Sequence, residues 1–419
     1  MIQKSQYLTA VKSNESNILI YTFYIWTFVI IARPQDIIEL LVPMRPALSV
    51  GFAVFIAYLL KYSHYKNKNR ILESTQCRLY LYLLAVMIIS IPFAYYRRGA
   101  FDFFFTRYII IILYFYIFYK IVDNENILNN VLFISCMGAS IYSVNAIYQG
   151  KIEAGRLAFG EMFDPNDLAF FAVSNITFNV LFVSMPNSLW KKYLCLINIV
   201  IGVLFIMMTG SRGGGIALSL VVLILLFDRS RNVKYSYKII IAILTIVAVI
   251  YAGSAIDYSR FETITQIGED YNVWDETGRL QIWNTGIGLM LSNPLTGVGL
   301  TCFQEAIGTE RRAKGLLEIW QAPHNSIVQI GTETGIFGII LFVLISYKTF
   351  SIFGIVKKNS EFRMLAMIAF VSQVGFVGHF VSAMFLSQAY SVYWVFYVVI
   401  SASIAELNKR KTDSLKYIS

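Results

Sequence analysis

The sequence is short of charge and of reactive side chains. Only 14% of its 419 residues are charged, and it has three histidines and four cysteines. Cys136 and Cys195 fall inside apolar segments, so no disulfide framework is expected. It also lacks Asp-x-Asp pairs, Walker-type phosphate loops, Gly-x-Ser-x-Gly elbows and clustered Cys/His metal ligands. We therefore expect no metal site and no cofactor, and the sequence gives no indication of a serine hydrolase or a nucleoside triphosphatase.

Apolar residues are abundant instead. They make up 57% of the chain, and the mean hydropathy is +0.60. A soluble protein of this size could not bury so much apolar surface, whereas a lipid bilayer can cover it. The net charge of +10 could indicate nucleic-acid binding, but in a membrane protein it more often reflects cytoplasmic Lys and Arg. We predict an all-α integral membrane protein that does not bind nucleic acid.

Apolar segments of the length that spans a bilayer recur along the chain. The bias of Lys and Arg in short loops places both termini in the cytoplasm and the one long loop, residues 256–323, outside. A loop of that length is usually functional. About twelve transmembrane helices are predicted in a single membrane domain, residues 1–419, because each needs about 20 apolar residues. They lie at 17–32, 47–62, 79–95, 108–122, 127–147, 166–185, 193–209, 213–228, 239–255, 325–347, 364–385 and 388–405.

One stretch of the long loop, residues 277–291, has helical periodicity. Leu280, Trp283 and Ile287 fall on one face of it, and Thr277 is its predicted N-cap. The pattern predicts an amphipathic helix that lies at the outer membrane–water interface.

The basic residues on the predicted outer side are mainly arginine, whereas those of the cytoplasmic loops are mainly lysine. Membrane insertion requires only positive charge, so a preference for arginine suggests planar, bidentate recognition of phosphate or carboxylate. The alternative is a chance bias in composition. Arg33, Arg98, Arg212 and Arg279 are the external arginines that we predict to contact the substrate.

A glycine-rich turn, residues 210–214, opens one predicted membrane helix. Its glycines allow close approach of the backbone, and the free N–H groups of a helix start attract anions. We predict that Ser211, Arg212 and Gly213 bind an anionic group. Alternatively, the glycines only pack helices together and Arg212 reaches toward water. Arg279, near the start of the loop helix, allows the same prediction or is an ordinary solvated arginine.

A histidine stands at the start of the tenth predicted membrane helix. His324 falls in its first turn, where the helix dipole favours the neutral imidazole that a general base needs. A capping or interfacial histidine would show the same pattern. Asn325 and Gln329 share one face of this helix and are predicted to contact substrate, with Glu333 deeper in a supporting role. Three glycines on another face predict tight packing against a neighbour; they are Gly331, Gly335 and Gly338.

The other two histidines are weaker candidates. His64 lies in a lysine-rich cytoplasmic loop and is predicted to be inert. His379 lies within a membrane helix, where an ionisable group is a functional candidate, although a structural histidine fits the position equally well.

Together, these motifs resemble the superfamily of O-antigen ligases and polymerases. Pro323-His324-Asn325, nine further residues and Gly335-Ile336-Phe337-Gly338 resemble its His-Asn/Ser/Gln-x9-Gly-x-x-Gly signature. The 210–214 turn, the Arg279 segment and the run from Asn293 to Gly299 look like its other motifs. The twelve predicted helices and the long external loop resemble its topology, and the similarity is strongest over residues 205–345.

The resemblance implies a metal-independent, inverting glycosyltransferase of the GT-C class in the bacterial inner membrane. Its donor would be a glycan on undecaprenyl diphosphate, and its active site would face the periplasm. Arg212 and Arg279 would hold the diphosphate, and His324 would accept a proton from the acceptor hydroxyl.

The acceptor stays open at this point. The leading hypothesis is a ligase that joins O-antigen to lipid A-core; the alternative is a polymerase for which a growing glycan is the acceptor. Transfer to protein and solute transport are further alternatives. A transporter is less favoured, because transporters often have two similar halves and none are evident here.

Overall fold

The computed structural model describes residues 18–65, 68–160, 164–228, 233–253, 278–318 and 320–416. These residues are largely helical, with one two-stranded hairpin. The first eight helices are α1 (Ile18–Ala32), α2 (Pro34–Ile37), α3 (Pro46–Leu60), α4 (Tyr62–Tyr65), α5 (Thr75–Ser90), α6 (Arg97–Asp102), α7 (Ile109–Ile121) and α8 (Glu125–Gln149). Short 3₁₀ turns occur at Glu39–Leu41, Ile71–Glu73 and Ile91–Phe93, and Phe103–Tyr108 is a π-helical turn.

The hairpin separates these helices from the second half of the chain. Its strands β1 (Lys151–Glu153) and β2 (Arg156–Ala158) are antiparallel, with Lys151 opposite Ala158. The next five helices are α9 (Pro165–Ile176), α10 (Phe178–Ser184), α11 (Leu189–Met208), α12 (Arg212–Phe227) and α13 (Tyr235–Gly253). The last five are α14 (Arg279–Ser292), α15 (Phe303–Ala313), α16 (Ser326–Asn359), α17 (Arg363–Ala383) and α18 (Val392–Lys416).

Several of the described helices are long and apolar enough to cross a membrane. Seven meet that criterion: Thr75–Phe93, Arg97–Ile121, Glu125–Gln149, Pro165–Ser184, Leu189–Met208, Ser326–Lys358 and Arg363–Ala383. Four shorter apolar helices are Ile18–Ala32, Pro46–Leu60, Arg212–Phe227 and Tyr235–Tyr251. The chain is therefore an all-α, multi-pass membrane protein, and the count of twelve spans stays a prediction.

The segment Pro165–Ser184 and helix α17 form the centre of the protein. Almost all of the first and most of the second are buried inside the fold, as expected for helices that are apolar on every side. Phe178 stacks near Tyr397 and meets the edge of Phe396, both on α18. The side-chain amide of Gln388 donates to Asp167 at 2.8 Å, so the start of α9 and the loop between α17 and α18 meet at one end of the fold.

Helix α16 is broken at Gly335, so the predicted span 325–347 is not one continuous helix. Gly335 has φ 72° and ψ −166°, which are not helical values. A break within a membrane leaves backbone N–H and C=O groups that must find partners in the protein. The segment of residues 293–299 supplies them.

This segment, residues 293–299, folds alongside the break in α16. The N–H groups of Val298 and Gly299 donate to the carbonyls of Thr332 and Glu333 at 2.9 and 3.0 Å. In return, the carbonyl of Pro294 accepts the N–H of Ile336 at 2.8 Å. The long loop is thus tied into the helix that follows His324.

Replacing Gly335 by alanine is expected to destabilise the protein by about 1–3 kcal/mol, since the required backbone conformation is nearly restricted to glycine. A Cβ atom there would also lie 2.5 Å from the carbonyl oxygen of Pro294. Thermal unfolding of the purified protein in detergent measures the effect. Gly288→Ala in α14 is the matched control, because a Cβ at Gly288 has no atom within 4 Å. Equal melting temperatures for the two variants would contradict the assignment of strain to Gly335.

Candidate functional site

His324 lies just before α16 and not in its first turn, which corrects the sequence prediction. The helix begins at Ser326, and its N-cap Asn325 accepts the N–H groups of Ile327 and Val328 at 3.0 and 3.1 Å. Asparagine is among the strongest N-cap residues, and capping by Asn325 leaves His324 outside the helix. His324 itself has φ 45°. A non-glycine residue in this left-handed region is held there by its surroundings.

The loop of residues 384–391, between α17 and α18, provides part of that support. The backbone N–H of His324 donates to the hydroxyl of Ser387 at 3.0 Å. The Ser326 hydroxyl donates to the carbonyl of Leu386 at 2.8 Å and accepts the N–H of Gln388 at 3.0 Å. The histidine and the helix start are therefore fixed against one loop.

Asn325 and Gln329, which the sequence predicted as substrate contacts, have structural partners. The side-chain oxygen of Asn325 caps α16. The side-chain oxygen of Gln329 accepts the backbone N–H of Ala389 at 3.1 Å, and Gln329 is buried. Their contacts with substrate stay predictions, and each amide nitrogen is the atom with which such a contact would be made.

Arg156, from the hairpin, joins the N-termini of α9 and α12. Its Nε donates to the carbonyl of Thr209 at 3.0 Å, and its Nη2 donates to Oδ1 of Asn166 at 2.7 Å. The helices also approach closely, because a Cβ at Gly214 would lie 2.5 Å from the Cβ of Ala169. The two helix starts therefore lie side by side.

Two aspartates stand at the start of α9, and Asp167 links it to the start of α16. Asp164 is the N-cap of α9 and accepts the N–H groups of Asn166 and Asp167. Asp167 accepts a hydrogen bond from the side-chain amide of Gln388 at 2.8 Å. Because the backbone of Gln388 is bonded to Ser326, the N-termini of α9, α12 and α16 meet at one place.

Arg212 is the first residue of α12 and is half-buried at this junction. Its predicted neighbours have structural roles: Ser211 is the N-cap and accepts the N–H of Gly214 at 3.2 Å. At Gly213 a Cβ would lie 3.0 Å from the ring of Phe385, in the same loop as Ser387. The absence of a side chain at Gly213 thus brings the Arg212 turn next to the loop that holds His324.

Arg279 is the first residue of α14 and is half-buried. The N-cap of this helix is Gly278, which corrects the prediction of Thr277; Thr277 lies outside the described residues. Gly278 makes no side-chain cap, so the first amide groups of α14 gain no partner from it.

Two hydrogen bonds fix α14 beside His324. The indole N–H of Trp283 donates to the carbonyl of Pro323, the residue before His324, at 2.7 Å. Farther along, the hydroxyl of Thr332 on α16 donates to the carbonyl of Gly286 at 2.9 Å. The helix that carries Arg279 is thereby held against the segment that carries the histidine.

The pKa of His324 is lowered from its ordinary value. Burial is the largest cause, because it disfavours the charged imidazolium, and the positive charge of Arg279 lowers the pKa further. The carboxylate of Asp164 acts in the opposite direction and raises it. The ordinary pKa of histidine is about 6.5, so His324 is neutral at neutral pH and able to accept a proton.

Glu333 lies deeper along α16 than His324 and holds the chain segment that packs beside this helix. It is buried, and its Oε2 accepts the backbone N–H of Thr301 at 2.9 Å, while its carbonyl accepts the N–H of Gly299. The carboxylate therefore holds the end of the 293–299 segment and the turn before α15.

Arg33 and Arg98 lie outside this cluster of contacts. Arg33 forms an ion pair with Asp36, in which Nε and Oδ2 are 2.6 Å apart. Tyr142 and Tyr393 are close enough to interact electrostatically with the guanidinium group of Arg33. Arg98 is exposed in α6. No described hydrogen bond connects either residue to His324, and their roles in binding substrate stay predictions.

The remaining histidines have local partners. His379 is buried, and its Nδ1 hydrogen-bonds with the hydroxyl of Ser174 at 2.9 Å. His64 interacts through Nε2 with the ammonium of Lys68 at 3.0 Å. Both arrangements are consistent with structural roles.

Sequence reasoning missed three residues that assemble the site: Arg156, Ser387 and Gln388. Arg156 follows the external arginine bias, and that signal could have identified it. The two loop residues gave no signal, because residues 364–385 and 388–405 were predicted as consecutive membrane helices. The second of these helices begins only at Val392.

Among the described residues, no group of three or more His, Cys, Asp or Glu side chains is placed to hold a metal ion. No curated protein matches the chain. Residues 197–343 match a family model described as O-Antigen ligase. This match includes the Arg212 turn, α14 with Arg279, and the start of α16 with His324. The resemblance to the O-antigen ligase superfamily is therefore confirmed over residues 197–343.

Proposed function

We propose that the protein is a glycosyltransferase that moves a glycan from undecaprenyl diphosphate to an acceptor hydroxyl. The acceptor would be lipid A-core, which makes the reaction an O-antigen ligation. The reaction would take place at the periplasmic face of the bacterial inner membrane, without a metal ion. The observation that carries this proposal is the position of His324, whose pKa is lowered by burial and by Arg279, beside the joined starts of α9, α12 and α16.

Arg212 and Arg279 would bind the donor diphosphate. Each is the first residue of its helix, where the backbone N–H groups add to the positive charge of the side chain. As the bond between the anomeric carbon and the diphosphate oxygen breaks, its electron pair passes to the diphosphate. The two guanidinium groups would stabilise this growing negative charge, a type of interaction that makes a large contribution to catalysis.

His324 would act as the general base. The acceptor hydroxyl would attack the anomeric carbon from the face opposite the diphosphate, and its proton would pass to the neutral imidazole. One carbon–oxygen bond forms and one breaks, and the configuration at the anomeric carbon inverts. Arg279 acts electrostatically on the same imidazole, which supports a site where donor and acceptor groups would serve one reaction.

A lipopolysaccharide gel of a strain that lacks the gene tests this proposal. For a ligase, we expect loss of O-antigen from lipopolysaccharide and accumulation of polymer on undecaprenyl diphosphate. Wild-type protein should reverse both effects, and His324→Ala should reverse neither. Accumulation of single repeats would instead identify a polymerase, and an unchanged gel together with unchanged lipid-linked glycans would reject both activities.

A further inference from the structure

A second candidate binding site lies at the end of α16 that is farthest from His324. A groove of about 570 Å³ opens between α12, α16 and α17, a size typical of small-molecule sites, which span about 300–1,000 Å³. An α-helix rises about 1.5 Å per residue, so Lys358, at one end of the groove, lies on the order of 45 Å along α16 from Ser326. The groove therefore belongs to the opposite membrane face and not to the candidate glycosyltransferase site.

The groove is apolar along most of its length. Ile224 of α12, Phe350 and Ile355 of α16, and Val374 and Val377 of α17 line it. Phe350 and Ile355 are 42% and 53% exposed on a membrane-spanning segment, so this wall faces the bilayer. Such a surface fits a hydrocarbon chain.

Two adjacent lysines in the last turn of α16 line one end of the groove. Lys358 is exposed, while the ammonium of Lys357 lies 5.5 Å from the ring centroid of Phe370. No carboxylate is among the described residues that line the groove, so nothing within its lining neutralises them. Basic pockets between transmembrane helices favour anionic lipid head groups.

The floor of the groove is formed by a glycine and a glutamine. A Cβ at Gly354 would lie 2.9 Å from the side-chain nitrogen of Gln373, which donates to the carbonyl of Phe350 at 3.2 Å. The small residue therefore leaves room for the glutamine and keeps the groove open between two packed helices. The polar group is already bonded within the protein, which leaves the lysines to select the head group.

We propose that this groove binds an anionic phospholipid of the leaflet opposite the candidate glycosyltransferase site. An acyl chain lies along the apolar wall, and the phosphate lies at Lys357 and Lys358. A lipid fits better than a helix from another protein, because two adjacent cations at the end of an apolar wall match the polarity of a lipid molecule. The inference depends on the membrane location of the chain and not on its proposed reaction.

Lipid titration of the purified protein in mild detergent tests the proposal. The probes are phosphatidylglycerol, phosphatidylethanolamine with the same acyl chains, and inorganic phosphate. We expect phosphatidylglycerol alone to raise the melting temperature and to remain bound in native mass spectra. The double variant Lys357→Gln/Lys358→Gln should weaken this binding on the order of tenfold or more, because each lysine near an anionic head group contributes to affinity.

The variant Lys191→Gln/Lys192→Gln is the matched control. These adjacent lysines lie at the start of α11, which follows the end of α10. They therefore lie at the same membrane face as the groove, opposite the start of α9. Lys191 lies over the ring of Phe133 and Lys192 over that of Tyr237. Their loss should leave the affinity for phosphatidylglycerol unchanged. Val377→Trp keeps both groove lysines but fills the groove, and should also weaken binding. Equal binding of both phospholipids, an equal effect of phosphate alone, or wild-type affinity in the Lys357/Lys358 variant would each overturn the proposal.

Discussion

Replacing His324 by alanine is expected to lower the rate of glycan transfer by about 10²–10⁴-fold, the usual contribution of a general base. The side chain is half-buried before the N-cap of α16, and its backbone N–H is bonded to Ser387. Alanine keeps that backbone bond, so the loss should reflect the missing imidazole. Initial rates with purified protein, lipid-linked donor and acceptor measure the effect.

His64→Ala is the control for this experiment. His64 lies near Lys68 and has no described hydrogen bond to residues around His324, so its loss should leave the rate unchanged. Full activity of the His324→Ala protein would refute the assignment of the general base, as would an equal loss in both variants.

The pH dependence of the rate provides a second measurement on the same residue. A general base must be deprotonated, so activity should fall as the pH drops through the pKa of His324, with a midpoint below about 6.5. Arg279 lowers this pKa, whereas Asp164 raises it. The midpoint should therefore rise in Arg279→Ala, stay low in Arg279→Lys and fall further in Asp164→Asn. An unchanged midpoint in all three would show that another group controls the profile.

Replacing Arg279 by alanine is expected to reduce kcat by about 10²–10³-fold, the loss typical of removing one group that stabilises developing negative charge. Lysine should restore only part of the rate, because it cannot form the planar, bidentate contact of a guanidinium. The same loss is expected for Arg212→Ala. Steady-state rates at saturating donor separate this effect on kcat from weaker donor binding.

Arg312→Ala is the matched control for the arginine variants. Arg312 lies in α15, in the same long loop, and its exposed side chain pairs with Glu318. Exposed pairs contribute little to stability because solvent screens them, so we expect wild-type kinetics. If Arg312→Ala lost as much activity as Arg279→Ala, the effect would belong to the loop in general and not to a diphosphate site.

The positions of the membrane helices follow closely from the sequence. Predicted segments such as 127–147 and 213–228 correspond to α8 and α12 within a few residues, since the boundaries follow where apolar residues end. The helix caps follow less closely. Asn325, predicted as a substrate contact, is the N-cap of α16, because asparagine is a stronger helix start than the histidine before it.

How the three residues of the candidate site come together could not be predicted from the sequence. The motifs placed Arg212, Arg279 and His324 at helix starts, because local signals mark such starts. Their association depends on long-range hydrogen bonds such as that of Trp283 with Pro323. The periodicity of the side chains carries no information on such long-range bonds. It also does not reveal the break at Gly335, because a glycine at that position is equally typical of a continuous helix that packs closely against a neighbour.

The break in α16 and its hydrogen bonds to the 293–299 segment also set the direction in which His324 lies. Each residue of an α-helix advances about 1.5 Å and turns about 100° around the axis. The helical stretch from Ser326 to Thr334 is anchored at its far end by the N–H groups of Val298 and Gly299, and Pro294 holds Ile336 beyond the break. One residue more or fewer in this stretch would rotate His324 away from Arg279. The number of residues between the histidine and the glycine is therefore fixed by helix geometry.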